Sequence, residues 1–283
     1  MSDKRTESMS FRPKKIAQFV LTQAMRSDAL WRLLRGRKIP GIEVARQRVV
    51  VGRITQRLRG REQVQSGPFM GLSYPSLQSS GSVLVAKLLG TYESELHPAF
   101  DCLLSTDFST VVDVGCAEGF YAVGLARIYR RANVQAYDIN PVARALCERM
   151  AAHNGTGNVT VLGECGHAEL LSLDPRARHL VVCDCEGFEG SLFTAEIAAH
   201  LRRSTCVIEI HDEQVPGVGD RVGAFFTATH DLEWITSLMP EEKERLHTLE
   251  MLKHEDEFTR SAAVSECRGQ NRTRWIIAWA RSA

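Results

Sequence analysis

Acidic side chains and a histidine follow two apolar runs of this 283-residue sequence. Asp184 and Glu186 come after the first run, and Glu209, His211 and Asp212 end the second. Histidine has an ordinary pKa of about 6.5, so it can accept a proton from a hydroxyl when a carboxylate orients it. We therefore predict His211 as a general base with Asp184 and Glu209 beside it, and we expect Glu186 and Asp212 to face the substrate.

The same side chains are ligands that a hard divalent cation prefers. Mg²⁺ or Mn²⁺ held by them would lower the pKa of a nucleophilic hydroxyl. The candidate metal ligands are Asp184, Glu186, Glu209 and His211. Carboxylates at strand ends also cap helices or pair with arginine, and this spacing defines no coordination geometry. A metal is therefore one alternative and direct base catalysis is the other.

A turn rich in glycine precedes these groups in the chain. The run from Val111 to Val114 predicts a buried strand, Gly115 and Gly119 follow it, and a helix is expected to start there. A strand that leads through such a turn into a helix N-terminus is how open α/β sheets hold nucleotide-like ligands. The spacing differs from G-x-G-x-x-G, and the sequence has no G-K-[ST], which argues against a dinucleotide fingerprint and a phosphate loop.

An acid ends the next predicted strand. Asp138 lies 23 positions after Gly115, close to the spacing of about 20 at which a carboxylate can accept hydrogen bonds from the ribose hydroxyls of a nucleoside. Asn140 predicts the N-cap of the following helix, and Pro141 fits its first position. The turn and the acid together predict a nucleoside site.

Strands and helices alternate in the rhythm of a parallel sheet with helices on both faces. Strands are predicted near 111–115, 134–138, 159–163, 180–184, 206–210, 231–237 and 274–280. Helices are predicted from about 119, 141, 166 and 189, and over 219–228 and 240–253. Since ligands bind at the carboxyl ends of such strands, the acidic groups and His211 should converge on one crevice.

The pattern D-x-G-x-x-x-G, here Asp113 to Gly119, closely resembles the cofactor loop of class I S-adenosylmethionine (SAM) methyltransferases. The resemblance implies a doubly wound, mostly parallel seven-stranded sheet with an antiparallel edge pair, and SAM as cofactor. The residues expected to hold SAM are Asp113, Gly115, Cys116, Ala117, Glu118, Gly119, Tyr121, Asp138, Ile139, Glu164, Cys165 and Asp184. Methyl transfer then requires the chain to align a nucleophile, remove its proton and exclude water.

A second resemblance indicates which chemical class of acceptor the enzyme methylates. The run D-x-E-G-x-E at 184–189, followed by E-x-H at 209–211, resembles FkbM-type methyltransferases, and the segments at 66–71 and 88–93 look like the lead-in of bacterial proteins of that group. The resemblance spans roughly 64–235 and implies O-methylation of sugar hydroxyls, glycans or other hydroxylated natural products. Cys185 stands where the family often has valine. Tyr92 is expected to contact cofactor or substrate, although it could instead pack the arm against the sheet.

The N-terminal part of the chain is strongly basic. Residues 1–62 hold 16 Lys and Arg against 5 Asp and Glu, whereas the remainder is acidic. We divide the chain into a basic arm (1–63), helical or partly disordered, with disorder expected over 1–15; a lead-in loop and helix (64–108); and the methyltransferase domain (109–283). The amphipathic stretch Ile16–Leu34 is expected to dock on its own domain or on a second subunit of a homodimer. The alternatives are peripheral contact with an anionic membrane surface and nucleic acid.

Composition sets further limits on location and function. No apolar run reaches the roughly 20 residues of a membrane span. The N-terminal residues lack an apolar core followed by a small-residue cleavage site, so we expect no secretory signal in them. Eight cysteines lack any C-x-x-C pair, which argues against zinc or a disulfide framework and favours the cytoplasm. No aromatic residues interleave the basic ones as base stacking requires, so we do not expect nucleic acid as the partner.

The sequence thus predicts a SAM-dependent O-methyltransferase of a hydroxylated small molecule or glycan. Two other functions remain open. The enzyme could methylate RNA or protein through its basic arm, although the chain lacks the N/D-P-P-Y/F run typical of amino-group methylation on bases. The chain could also be a non-catalytic SAM-binding partner of a larger assembly.

Overall fold

The computed structural model describes residues 13–80, 83–247, 249–266 and 272–281. The α-helices in these ranges are α1 (Pro13–Ala24), α2 (Asp28–Leu34), α3 (Ile42–Arg57), α4 (Leu84–Leu89), α5 (His97–Leu103), α6 (Phe120–Ile128), α7 (Pro141–Asn154), α8 (His167–Leu171), α9 (Glu189–Leu192), α10 (Ala195–His200), α11 (Val218–Thr227), α12 (Pro240–Leu246) and α13 (Glu257–Val264). Short 3-10 helices cover Ser94–Leu96 and Glu250–Leu252. Of the segment expected to be disordered, residues 1–12 lie outside the described ranges, as does Cys267.

Seven strands form one sheet. They are β1 (Thr110–Val114), β2 (Asn133–Tyr137), β3 (Val159–Leu162), β4 (His179–Cys183), β5 (Thr205–Ile210), β6 (His230–Thr236) and β7 (Arg274–Ala280). The order across the sheet is β3-β2-β1-β4-β5-β7-β6, and β7 pairs antiparallel with both of its neighbours. This mostly parallel arrangement, with helices on both faces, is the Rossmann-like class I methyltransferase fold, so the predicted fold class is confirmed.

The strands form where they do because both faces of the sheet are covered. Val111 packs into one hydrophobic core and the next residue, Val112, packs into another on the opposite face. Buried parallel strands therefore read as continuous apolar runs rather than as alternating ones. The predicted strand positions lie within two residues of the observed ones because these runs are short and end at polar residues.

The N-terminal arm, which we define as α1 to α3, folds onto the same chain. A break at 25–27, which the sequence reading did not anticipate, separates α1 from α2, and the Ser27 hydroxyl accepts a hydrogen bond from Leu30 N there. Arg46 of α3 is buried, donating to Met25 O at 2.9 Å and to Asp28 Oδ1 at 2.7 Å. These contacts hold the arm together, and α3 packs against α13, where Arg57 pairs with Glu255, so the arm docks in cis. No helix in the described ranges combines the length and apolar character needed to cross a membrane.

The connection between β6 and β7, residues 237–273, corrects a second expectation. The predicted charged helix over 240–253 is divided into α12 and the 3-10 helix Glu250–Leu252, and α13 follows where no helix was predicted. Asp256 caps α13 by accepting from Thr259 N at 2.8 Å. This helix packs against α3, α4 and α12. The sequence did not predict α13 because the helix has few apolar residues, and the helices that bury them come from distant parts of the chain.

Candidate active site

A cavity of about 690 Å³ opens at the carboxyl ends of the central strands. Its volume falls within the range of roughly 300 to 1,000 Å³ that is usual for small-molecule and cofactor sites. Its lining includes Lys87, Tyr92, Gly115, Ala117, Tyr121, Asp138, Ile139, Glu164, Cys165, Asp184, Glu186, Glu209, His211 and Glu266. The crevice predicted from the strand ends is therefore present, with residues from the lead-in and from the β6–β7 connection added.

The glycine turn is shaped by a close approach of two strand ends. Gly115 has φ of 86°, and a Cβ built on it would lie 1.7 Å from the backbone oxygen of Asp184. Gly119 has φ of 95° and precedes the first residue of α6. Side chains at either position would strain the backbone or displace β4, so this turn requires glycine for geometric reasons.

Asp138 lies at the mouth of this turn and is held by backbone N–H groups. Its two carboxylate oxygens accept from Ala117 N at 2.9 Å and from Asn140 N at 2.7 Å. Each carboxylate oxygen has a second lone pair, and the side chain lines the cavity. The carboxylate can therefore accept hydrogen bonds from a ligand while its position is fixed.

The other expected cofactor residues divide into two groups. Those lining the cavity are Gly115, Ala117, Tyr121, Ile139, Glu164, Cys165 and Asp184. Those outside its lining are Asp113, Cys116, Glu118 and Gly119. Asp113 is fully buried behind the turn, where burial raises its pKa to about 7. Cys116 is likewise buried, so neither side chain reaches the cavity.

Glu118 is occupied by a buried ion pair. Its carboxylate lies 2.6 Å from Lys87 Nζ and also accepts from the Tyr74 hydroxyl and from Ser80 N. Lys87 lines the cavity and lies 4.7 Å above the ring of Tyr92. No sequence motif pointed to Lys87, because its position depends on the lead-in folding over α6.

The predicted base, His211, is oriented by a residue that sequence reasoning did not single out. Its Nδ1 lies 2.7 Å from Glu189 Oε1, and the Glu189 side chain is fully buried at the start of α9. A carboxylate only accepts hydrogen bonds, so the imidazole proton resides on Nδ1 and Nε2 is left as an acceptor. The final E of D-x-E-G-x-E was the available signal for Glu189.

Electrostatics shift the pKa of both partners. Burial lowers the pKa of His211, but the hydrogen bond to Glu189 and the charges of Glu209, Glu189 and Glu186 outweigh it, so the net pKa lies above the ordinary value. Burial raises the pKa of Glu189, but the hydrogen bond and charge of His211, together with the backbone N–H groups of Gly187 and Glu189, outweigh it and leave the net pKa below the ordinary value. Glu189 is therefore ionised, and it stabilises the imidazolium form of His211.

Three carboxylates surround His211 Nε2. Asp184 Oδ1 and Glu186 Oε2 are each 3.6 Å away, and Glu209 Oε2 is 3.9 Å away. Burial, together with the charges of Glu209 and Glu93, raises the pKa of Asp184 well above its usual range. In the described part of the chain, donor atoms within 4.8 Å of one another occur in two sets, Asp184/Glu186/His211 and Glu93/Asp184/Glu209. The predicted metal ligands thus lie together, and the metal itself stays a prediction.

The residues expected to face the substrate lie in different places. Tyr92 lines the cavity, its ring 5.4 Å from that of Phe120. Glu186 also lines it and is largely exposed. Asp212 is outside the lining: it pairs with Arg274 at 2.5 Å and accepts from Gly219 N at 3.1 Å. Asp212 thus holds β7 and α11 in place.

Backbone strain is concentrated at this cavity. Among the described residues, the non-glycine residues with positive φ are Glu93 (46°), Ala117 (49°) and Glu186 (54°). Ala117 and Glu186 line the cavity, and Glu93 lies in one of the carboxylate sets and accepts from the Tyr121 hydroxyl. Such conformations cost about 1–3 kcal/mol each and cluster at functional sites, so the strain agrees with the crevice as the candidate site.

Comparisons with known proteins find solved structures that are remotely similar to this chain. No protein-family model and no curated protein sequence matches the chain. It resembles the solved structure of a candidate O-methyltransferase from Klebsiella pneumoniae at 11% identity, over 92% of this chain and 100% of that one, with a TM-score of 0.45. It also resembles coclaurine N-methyltransferase bound to N-methylheliamine and SAH (12% identity, 94% of each chain, TM-score 0.40). A third similar structure is precorrin-6y C5,15-methyltransferase from Geobacter metallireducens (11% identity, 65% of this chain and 88% of that one, TM-score 0.42). Likenesses this remote decide neither the cofactor nor the acceptor of this chain.

Proposed function

We propose that this chain is a SAM-dependent methyltransferase that methylates a hydroxyl group of a small molecule, sugar or glycan. The observation that carries the proposal is the His211–Glu189 pair, in which His211 lines the cavity and Nε2 is left as an acceptor. Gly115 and Asp138 line the same cavity at its proposed cofactor end. One cavity thus combines a nucleoside-binding turn with an oriented proton acceptor. A binding module would need the first feature but not the second.

The residues fit SAM at the cofactor end. Asp138 has lone pairs to accept from ribose hydroxyls, and the missing Cβ of Gly115 leaves the turn close to β4. Ile139, 78% exposed on the cavity wall, offers an apolar surface for an adenine ring. The buried Lys87 ammonium is neutralised by Glu118, so it adds no net positive charge that would oppose a sulfonium.

The chain's own contribution to the reaction is proton transfer and alignment. SAM, when bound, would supply an electrophilic methyl carbon, whose bond to the sulfonium sulfur would break with the electron pair going to sulfur to leave a neutral thioether. His211 Nε2 accepts the proton of the acceptor hydroxyl while that oxygen forms its bond to carbon, and the ionised Glu189 stabilises the imidazolium. The proton then leaves to solvent through the exposed side of the crevice, where Glu186 lies. Glu209 and Asp184 flank Nε2 and lie where the acceptor must be oriented.

The FkbM-type resemblance of 184–189 and 209–211 supports a hydroxyl of a sugar or natural product as the acceptor. Carboxylates that face the cavity are suited to accept hydrogen bonds from several hydroxyls of a polyol. The packing of the arm on its own chain supports a small acceptor. An RNA would need exposed basic side chains, but Arg46 and Arg53 of the arm pair with Asp28.

Methyl-labelled SAM and a host cell extract test this proposal. We expect base-stable label in the small-molecule or glycan fraction, and we expect His211→Ala to abolish it while keeping SAM binding. The exposed His254 provides the matched control, because His254→Ala should transfer label like the wild type. Label in RNA or protein would overturn the acceptor class, and SAM binding without any label transfer would overturn methyl transfer itself.

A further inference from the structure

A buried lysine, Lys243, lies behind the cavity and outside its lining. Lys243 of α12 is 1% exposed, and its ammonium meets three separate segments. It lies 3.1 Å from Glu95 in the 3-10 helix Ser94–Leu96, bonds Glu266 beyond α13, and lies 3.5 Å from the backbone oxygen of Thr91. A lysine is almost never fully buried unless it is paired, and here two carboxylates offset the cost of burying the ammonium.

Glu266 connects this cluster to the cavity. Its side chain lines the cavity and also accepts from Glu93 N at 2.7 Å. Glu93 is the strained residue that shares a carboxylate set with Asp184 and Glu209. Lys243 therefore holds Glu266, and Glu266 in turn holds the backbone of Glu93 beside the base.

The arm supports the same wall from behind. The rings of Trp31 in α2 and Phe258 in α13 lie 4.5 Å apart, and Arg57 of α3 pairs with Glu255 at 2.5 Å. Ala262 and Ala263 of α13 share a core with residues of α3. These contacts fix α13, and the chain leaves α13 directly into Glu266. The arm and the β6–β7 connection thus form one support for the acceptor side of the cavity.

We propose that Lys243 is a positioning residue for methyl transfer: by tethering Glu266, it fixes the cavity wall that faces the acceptor. This proposal rests on the proposed function, because its effect is measured as transfer of label to the acceptor. It assigns the β6–β7 connection to acceptor recognition, and it assigns the basic arm to supporting that connection. The cofactor side, formed by β1, β2 and the turn between β1 and α6, does not depend on Lys243.

The test compares three variants of the full chain: Lys243→Met, Lys243→Met with Glu95→Gln, and Lys253→Met. Lys253 lies in the same connection and makes an exposed pair with Glu250 at 2.5 Å, so Lys253→Met is the matched control. The measurements are SAM affinity by calorimetry, label transfer at rising concentrations of the small-molecule fraction of a host extract, thermal midpoint, and exchange of the Glu93 amide. Displacement of about 1 Å can cost roughly 100-fold in rate. We expect Lys243→Met to lower transfer at low extract concentration by about 10- to 100-fold while SAM affinity stays unchanged.

The double variant separates positioning from stability. Lys243→Met leaves Glu95 and Glu266 facing each other in the interior, so it should unfold at lower temperature. Neutralising Glu95 should restore much of the thermal midpoint but not label transfer or the protection of the Glu93 amide. Recovery of transfer along with stability would overturn the proposal, and so would wild-type transfer by Lys243→Met. If the wild type binds SAM yet labels nothing, methyl transfer fails as the function, and undiminished protection of Glu93 in Lys243→Met would separately refute the tether.

Discussion

Glu189→Gln isolates what the buried carboxylate contributes to His211. Three donors meet at Glu189 Oε1: His211 Nδ1 at 2.7 Å, Gly187 N at 3.1 Å and the Cys185 thiol at 3.6 Å. An amide nitrogen in that place would face donors only. The glutamine should therefore keep its oxygen there, the imidazole proton should stay on Nδ1, and the variant should lose the charge but not the tautomer.

The size of the effect follows from that geometry. A hydrogen bond to a charged group contributes about 1.5–3 kcal/mol and a neutral one about 0.5–1.5 kcal/mol. Losing the charge should cost about 1–2 kcal/mol in stabilising the imidazolium as the hydroxyl proton is transferred. We expect kcat to fall roughly 5- to 30-fold, with SAM affinity unchanged because Asp138 and Gly115 are not in contact with Glu189.

The assay is transfer of label from SAM at saturating acceptor fraction, with SAM affinity measured in parallel. Glu233→Gln is the control: Glu233 accepts from Trp279 Nε1 at 2.9 Å on the exposed side of β6, so its charge should not affect transfer. Unchanged kcat in Glu189→Gln would refute the idea that this carboxylate supports the base. A loss near 10,000-fold would instead indicate a reversed amide and the wrong tautomer.

Three further changes test other parts of the structure. Gly115→Ala should abolish SAM binding and lower the thermal midpoint, because the new Cβ would lie 1.7 Å from the Asp184 oxygen; wild-type affinity by calorimetry would contradict the cofactor site. Asp138→Ala should weaken SAM binding about 10- to 100-fold, since charged hydrogen bonds of about 1.5–3 kcal/mol are lost, while Asp138→Asn should lose less. His97→Gln should reduce acid lability: burial, then the charges of His247 and Lys243, lower the pKa of His97 to about 4. The unfolded chain therefore takes up that proton first, and the wild type should lose up to about 3 kcal/mol as the pH falls from about 6.5 to 4. Urea unfolding across that range should show a shallower loss in the variant, and parallel curves would contradict this origin.

The cofactor half of the site could be predicted because its signals are local. Gly115 and Asp138 belong to one strand–helix–strand unit, and their spacing reflects the length of α6 together with that of β2. Glu118 shows where such reasoning stops. Its position in the turn suggested a ligand, but the lead-in places Lys87 2.6 Å away and turns the carboxylate inward. Only the tertiary fold determines that choice.

The acceptor half is assembled from distant segments, and no spacing rule can reveal that. Glu93 comes from the lead-in, His211 from the end of β5, Glu189 from the start of α9, and Glu266 from the β6–β7 connection. Sequence reasoning found the strand-end members because parallel strands end at one edge of a sheet. It missed Glu189 and Glu266 because a helix start and a connecting segment have no such rule.

This division has a consequence for how specificity can change. The residues proposed to bind the cofactor lie in the first half of the sheet, whereas the proposed acceptor wall depends on a connection that packs through α13 against α3 of the arm and against α4. From the proposed function we therefore expect substitutions between 237 and 266 to alter acceptor choice while leaving SAM binding intact. Connecting segments between elements tolerate such variation better than core strands. Our proposal then explains why the chain bears the cost of desolvating the Lys243 cluster. Without this cluster, a wall built on a connecting segment would be too loose to orient a hydroxyl beside His211.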